Sequence, residues 1–396
     1  MVERVGVAII GAGAAGLSLA DRLCATGPRS LTVRLIDAPP GPLRPPRRTW
    51  CFWEAGVGRY DAAVTRSWSM LRVHSPRGAA FDDCIDPLRY KMIRSDDFER
   101  LISRRLSERP GFTQREGAVE RIDDAADGAR VHLRTPNGTR ESLSARWVFD
   151  SRPLKGLPPA RTTLLQHFHG WFIRTEEPAF DPARVELMDF RTPQPQRGLA
   201  FFYALPISRH TALVEYTQFS RAVLPHREYG RALQTYVRQI LGVGTFAIDG
   251  TESGVIPMTD ARFARRSAPS VFRIGAAGGA TRPSTGYTFA AIQRQTDAMA
   301  RALAQGRAPA PPRPHARRSQ AMDAVFLHGL ANGRLDGSEF FTRLFSRVRM
   351  AHLLRFLDGD TTLLQDIAIG LHTPVGSMLR STMELPTRRR HPSPGP

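Results

Sequence analysis

Three carboxylates sit in sequence surroundings that would be unusual for ordinary surface acids. Glu215 falls in TALVEYTQF, where strand alternation places it on one face with Leu213, Thr217 and Phe219. If that face lines a cavity, desolvation raises the carboxyl pKa and keeps it protonated near neutral pH, which makes it a proton donor. Facing water or a cation, the same residue is a surface glutamate or half of an ion pair. Asp189 and Arg191 in VELMDFRT share a face with Val185 and Leu187 by the same alternation. They form either a salt bridge or an acid that joins a proton path or orients a pocket. Glu252, just before SGVIPMT, is a third carboxylate, either a second acid of the same site or a loop residue. His167 and His169 alternate in QHFHGW, but no third ligand can be placed beside them, so they read as core or surface histidines rather than a metal site.

A second kind of chemistry is written in glycine. VGVAIIGAGAAG ends an apolar run with Gly11, Gly13 and Gly16, and the helically spaced LSLADRLCAT and a second apolar run ending at Asp37 follow. In a dinucleotide loop Gly11 permits the tight turn, Gly13 admits a pyrophosphate to the backbone, and Gly16 lets helix and strand pack closely. The helix N-terminus offers N–H groups and positive dipole to the phosphates. Asp37, 21 residues after Gly16, is placed to accept a ribose hydroxyl. A glycine at every second or third position also argues against reading this stretch as a signal-peptide apolar region. A second glycine-rich loop, SVFRIGAAGGATRPSTGYTF, comes much later. Its Gly275, Gly278 and Gly279 allow close backbone approach, and Ser284, Thr285 and Gly286 lead into a helix whose N–H groups favour negative charge.

The elements that must hold these residues follow from periodicity. Residues 1–40 read as a βαβ unit, 92–106 as a helix with Ser95 as N-cap, and ESLSARWVFD as a further strand of the same sheet. Between about 160 and 257 the pattern becomes antiparallel: HFHGWFIRT, VELMDFRT, GLAFFYALPI and TALVEYTQFS. The expected fold is α/β. A Rossmann-like FAD-binding domain of the glutathione reductase/hydroxylase type carries an inserted antiparallel β substrate layer and a mainly helical C-terminal region. The expected boundaries are 1–155 and 269–306 for the nucleotide domain, 156–268 for the substrate layer, and 307–396 for a linker, helices and basic tail. The stripe Phe341, Leu344, Phe345, Val348 and Ala351 belongs either to a helix packed on its parent domain or to a basic amphipathic face that touches lipid; the tail TRRRHPSPGP reads as disordered.

Composition narrows the partners. The 396 residues exceed what one core usually supports, so two interleaved lobes are expected. The balance of 56 Lys+Arg against 37 Asp+Glu, +19 net, suits an anionic membrane surface. No basic stripe alternates with exposed aromatics, which excludes nucleic acid. Three scattered cysteines make no disulfide framework and fit a reducing cytoplasm. No run is long enough to span a membrane.

MDFRTPQ (188–194), LVEYTQFS (213–220), GVIPMTD (254–260) and RPSTGYTFAAIQRQ (282–295) resemble, in order, the conserved blocks of the bacterial lycopene cyclase family, and TWCFW (49–53) resembles its early Thr-Trp block. The chain departs from the family at Pro45, Pro46, Arg47 and Arg48, where a Gly-Asn-His run is usual. The resemblance implies an enzyme that closes the ψ-ends of lycopene into β-ionone rings without net redox change. It also implies reduced FAD, with NADPH or NADH as reductant, and a site at the inner face of the cell membrane. Glu215 is the expected acid, with Asp189 and Glu252 as further catalytic carboxylates. The same architecture serves flavin monooxygenases and prenyl reductases, so an oxidoreductase acting on a lipophilic substrate is the alternative. A non-catalytic lipid-handling protein is a third reading.

Overall fold

The segment Glu3–Ile10 is apolar at most positions because it is the inner strand of a parallel sheet, between Val33–Asp37 and Arg140–Asp150. In the computed structural model, which describes residues 3–393, this sheet has eight strands. Val271–Arg273 joins it parallel to Arg140–Asp150, so the chain re-enters the nucleotide layer shortly before the second glycine loop. The helices that follow the two glycine loops, Ala14–Thr26 and Phe289–Ala304, lie against each other. Arg22 pairs with Asp297 at 2.8 Å, and the Gln293 side-chain amide donates to the Ser18 hydroxyl at 2.9 Å.

A seven-stranded sheet forms the second layer. Its order is Ala247–Thr259, Thr163–Arg174, Thr211–Ser220, Leu199–Pro206, Arg184–Asp189, Met70–His74 and Ala80–Cys84. Pairing is antiparallel except between Arg184–Asp189 and Met70–His74. Two strands therefore come from residues 70–84, inside the stretch expected to belong wholly to the nucleotide domain, and the layers interleave. One face of this sheet packs under helix His226–Thr235 and the π-helical turn Tyr236–Ile240. The other packs against the C-terminal helices and a three-stranded sheet, Thr49–Ala55, Leu88–Arg94 and Val64–Trp68.

Several local expectations are corrected. The helix expected from 92 begins only at Ser95, because residues up to Arg94 continue a strand; Ser95 opens the helix rather than capping it, and its hydroxyl accepts from the Arg48 N–H. The stretch 340–357 breaks at Val348, which is extended (φ −123°, ψ 134°), into helices Gly337–Arg347 and Met350–Asp358. Phe341, Leu344 and Phe345 are buried in the core, so this stripe packs on its own protein rather than facing lipid. The tail is not free as far as it is described. Arg390 donates to the Pro159 and Asp260 carbonyls, and His391–Ser393 pairs with Leu157–Ala160; residues 394–396 lie outside the described residues.

The first loop separates two roles for glycine. A Cβ on Gly16 would lie 1.9 Å from the Gly11 carbonyl oxygen, whereas one on Gly13 would meet nothing within 4 Å. Gly16→Ala is expected to cost about 3 kcal/mol or more through overpacking, while Gly13→Ala stays within about 1 kcal/mol of wild type. Thermal melting in the absence of ligand checks this; equal losses in the two variants would contradict it.

Candidate active site

The central strand Thr163–Arg174 sets Gly170 opposite Glu215 on one neighbour and opposite Glu252 on the other. A Cβ at position 170 would stand 3.0 Å from Leu213 Cδ1, 3.4 Å from Glu215 Cβ and 3.5 Å from Glu252 Cγ. Glycine thus leaves a gap that the two carboxyl side chains flank. Gly170 escaped notice in the sequence, where QHFHGW drew attention to its histidines. A glycine amid the aromatic residues of a central strand is the signal that would have found it, since such glycines mark places where another group approaches closely.

The histidines of that strand point to the opposite face. His167 bonds the Ser220 hydroxyl at 2.7 Å and the Tyr229 hydroxyl at 2.6 Å, and His169 bonds the Ser253 hydroxyl at 2.6 Å while accepting from the Trp171 indole N–H at 3.1 Å.

Glu215 and Glu252 are unequal partners. Burial pushes the Glu215 pKa up to about 8, the Glu252 charge pushes the same way, and only the Thr217 hydroxyl, donating at 2.8 Å, opposes. Burial also raises Glu252, but the Thr49 hydroxyl donates to it at 2.7 Å and Arg94 and Arg48 lie near enough to favour its charged form. When two coupled carboxyls share one site, the proton resides on the one with less support for its charge. Here that is Glu215, and Glu252 is the one whose charged form its neighbours support. Both residues keep some accessible surface although desolvation dominates their titration, so that surface faces an internal recess.

The recess has aromatic walls. Tyr203 is the cross-strand partner of Glu215, and its hydroxyl lies 3.4 Å from that of Tyr287. Trp53 meets Tyr287 edge-on at 4.7 Å and stacks beside the fully buried Tyr90. Burial raises the phenol pKa of all three tyrosines, that of Tyr287 to about 12, so the hydroxyls stay neutral and the ring faces stay available to a cation. Burial likewise raises the Cys51 thiol and keeps it from being a thiolate.

Asp189 is not brought to this place. Its strand carries a β-bulge: Glu186 pairs with Ala204 and Asp189 with Phe202, so three residues oppose two and the alternation is reset. Asp189 consequently shares a face with Glu186 rather than with Val185 and Leu187, on the side of the sheet away from Glu215. There it is fully buried, ion-paired to Arg191 at 2.6 Å, and accepts from the Tyr236 hydroxyl at 2.8 Å. His74 and Glu186 adjoin it. Of the two roles open in the sequence, the geometry is that of the salt bridge.

The glycine loops form a cradle whose shape fits a dinucleotide. The space beside Gly13 is open at the N-terminus of helix Ala14–Thr26. Asp37 anchors the loop by accepting from the Ala12 N–H at 2.9 Å and pairs with Arg44 at 3.1 Å, and each of its oxygens retains a lone pair for a further donor. In the late loop Gly275 and Gly279 adopt positive φ, while Gly278 packs against the Arg273 carbonyl. Of the residues expected to lead into the helix, the Ser284 hydroxyl donates to Asp323 at 2.7 Å and the Thr285 hydroxyl accepts from the Tyr287 N–H. The Gly286 N–H donates to the Arg282 carbonyl, and the helix starts only at Phe289. Contact from this loop to a bound group therefore falls to its backbone and to the free N–H groups of the first turn from Phe289.

The electrostatics of Glu215 predict a pH signature independent of any reaction. Its folded pKa lies above the ordinary 4.5, so its ionisation costs stability that is absent below pH 4.5 and grows until about pH 8. Glu215→Gln removes that cost. The melting temperature of the variant relative to wild type is expected to rise between pH 5 and pH 8.5, by several degrees; a difference that is flat or falls with pH would contradict the assignment.

Known proteins bear on this geometry in two ways. The fold resembles that of a geranylgeranyl bacteriochlorophyll reductase-like protein from Thermoplasma acidophilum, with a TM-score of 0.63 at 12% identity, over 97% of this chain and 100% of that one. Among curated proteins, a lycopene beta-cyclase of Pseudescherichia vulneris is 31% identical over 173 residues, 42% of this chain and 43% of that protein. The match thus spans less than half of that relative's length. An uncharacterized carotenoid cyclase of Deinococcus radiodurans is 27% identical over 90% of this chain and 86% of its own. The sequence profile described as lycopene cyclase protein matches residues 6–383, which include both glycine loops, Gly170 and all three acids. The chain therefore belongs to the lycopene cyclase family.

Proposed function

We propose that this chain is a lycopene beta-cyclase, converting the ψ-ends of lycopene to β-ionone rings through γ-carotene to β-carotene. The observation that carries this reading is the placement of Glu215, whose burial pushes its pKa up to about 8, beside Glu252, whose charged form Thr49 and nearby arginines support, in an aromatic recess. A linear polyene has no heteroatom, so closure begins with a proton delivered to a terminal C=C. The Glu215 O–H bond breaks and a C–H bond forms, leaving a tertiary carbocation. A neighbouring double bond then closes the ring, and loss of a ring proton sets the β double bond. One proton enters and one leaves, so no electrons are exchanged overall.

Glu252 is placed to take up that proton or to hold negative charge opposite the cation. At an effective dielectric near 20, a full charge about 4 Å away is worth about 4 kcal/mol. The faces of Tyr203 and Tyr287 add cation–π attraction and exclude water. Asp189 serves the site by fixing the sheet rather than by touching substrate. FAD held by the backbone around Gly11, Gly13, Gly275, Gly278 and Gly279, and reduced by NADPH or NADH, would supply further negative charge near the cation. Because the substrate dissolves only in lipid, the enzyme meets it at the inner face of the cell membrane.

Under anaerobic conditions with FAD and NADPH, the protein is expected to convert lycopene to γ- and β-carotene, with one deuterium gained per ring in D₂O. Chromatography with mass analysis checks this, and linear lycopene recovered intact beside demonstrably reduced flavin would refute it. Turnover should fall as pH rises through about 8, where Glu215 loses its proton. Glu215→Gln should lower the rate about 10³-fold or more while leaving flavin bound; a variant with near wild-type turnover would remove Glu215 from the role.

A further inference from the structure

Apolar surface is concentrated in one part of this protein. Of the eleven large apolar side chains exposed among the described residues, seven lie between 363 and 383, each more than half accessible. On helix Leu363–Gly370 they are Leu363, Leu364 and Ile367, followed at the next turn by Leu371. On helix Val375–Glu384 they are Val375, Leu379 and Met383, spaced four apart and therefore a single stripe. A surface helix normally turns such a stripe inward. Here only Ile369 and the half-buried Met378 join the core, and the other buried positions are polar: Asp366 lies against Arg318 at 2.8 Å and Thr361, and Ser381 is fully buried.

We infer that the helix pair 363–384 is the surface by which this protein seats on an anionic lipid bilayer. Charge decides for lipid over a second protein. From Leu363 to Leu379 the only acidic or basic side chains apart from His372 belong to Asp366, which points inward. Arg380, on the second helix, is paired with Glu384 at 3.4 Å, and beyond it Arg388 and Arg389 are exposed with no ion-pair partner among the described residues. An uncharged apolar face followed by arginines matches acyl chains below anionic headgroups. No described helix is long and apolar enough to cross a membrane, so seating is in the interface plane. The inference rests on the proposed function only for the reason to visit a membrane, the retrieval of a lipid-dissolved polyene. The surface itself stands apart from that reading.

The test uses the full chain with phosphatidylcholine vesicles with and without phosphatidylglycerol, read by flotation. Wild type is expected to float with the anionic vesicles. Leu364→Glu combined with Leu379→Glu should weaken binding about tenfold or more, and Leu43→Glu, an equally apolar exposed site elsewhere, should leave it unchanged. Flotation of the double variant like wild type would overturn the inference. So would sedimentation showing a wild-type dimer that the double variant splits, with no vesicle binding by either. Turnover of detergent-dispersed lycopene by the double variant should stay within about twofold of wild type. If neither protein cyclises lycopene, the functional reading fails while the flotation result stands by itself.

Discussion

Two carboxyls facing each other across a residue with no side chain cannot both be charged in a dry site, and the rest of this structure is arranged around that constraint. Coulomb repulsion and desolvation act in the same direction on Glu215, and Thr217 alone opposes them. Glu252 escapes by recruiting Thr49 and the nearby arginines. The asymmetry turns a repulsive pair into an acid and a conjugate base at one pH. The central strand presents glycine at position 170, where a Cβ would press on Leu213 Cδ1 at 3.0 Å and occupy the space between the two acids.

The strand Thr49–Ala55 makes the acid pair depend on the nucleotide layer. Its alternate residues belong to different cores: Cys51 and Trp53 face the recess, whereas Trp50 and Phe52 pack against Phe289 at the start of the late helix, with ring centroids 5.9 and 4.5 Å away. Thr49 at its head holds Glu252. A shift of the late loop therefore reaches the acid pair through a single extended segment. Opposite, the Asp189–Arg191–Tyr236 cluster ties the far face of the sheet to the helix beneath it. That clamp fixes the register of the strands carrying Tyr203 and Glu215 without entering the recess.

Much of this was legible in sequence where one local rule acts alone. The roles of Gly11, Gly13 and Gly16 follow from loop sterics, and the face of Glu215 follows from simple alternation in an unbroken strand. Asp189 was misplaced because alternation assumes no bulge, and nothing in VELMDFRT announces the extra residue that resets it. Gly170 was invisible because its importance lies in two neighbours, Glu215 and Glu252, that are distant in sequence. Ser284 and Thr285 read as the lead into a helix N-terminus, yet the helix starts only at Phe289 and Asp323, 39 residues beyond Ser284, claims the serine hydroxyl. The stripe at 341–351 and the helices after 363 look alike as amphipathic patterns. Only packing tells which of them is covered.

The account turns on Glu215 being a neutral acid at the pH where its neighbour is an anion. Infrared difference spectroscopy of wild type against Glu215→Gln measures this directly through the stretch of a protonated carboxyl group. The account predicts a protonated-carboxyl band at pH 7 that is present only in wild type and disappears as pH rises past about 8. Its absence at pH 7, with a carboxylate signal assigned to Glu215 instead, would contradict it.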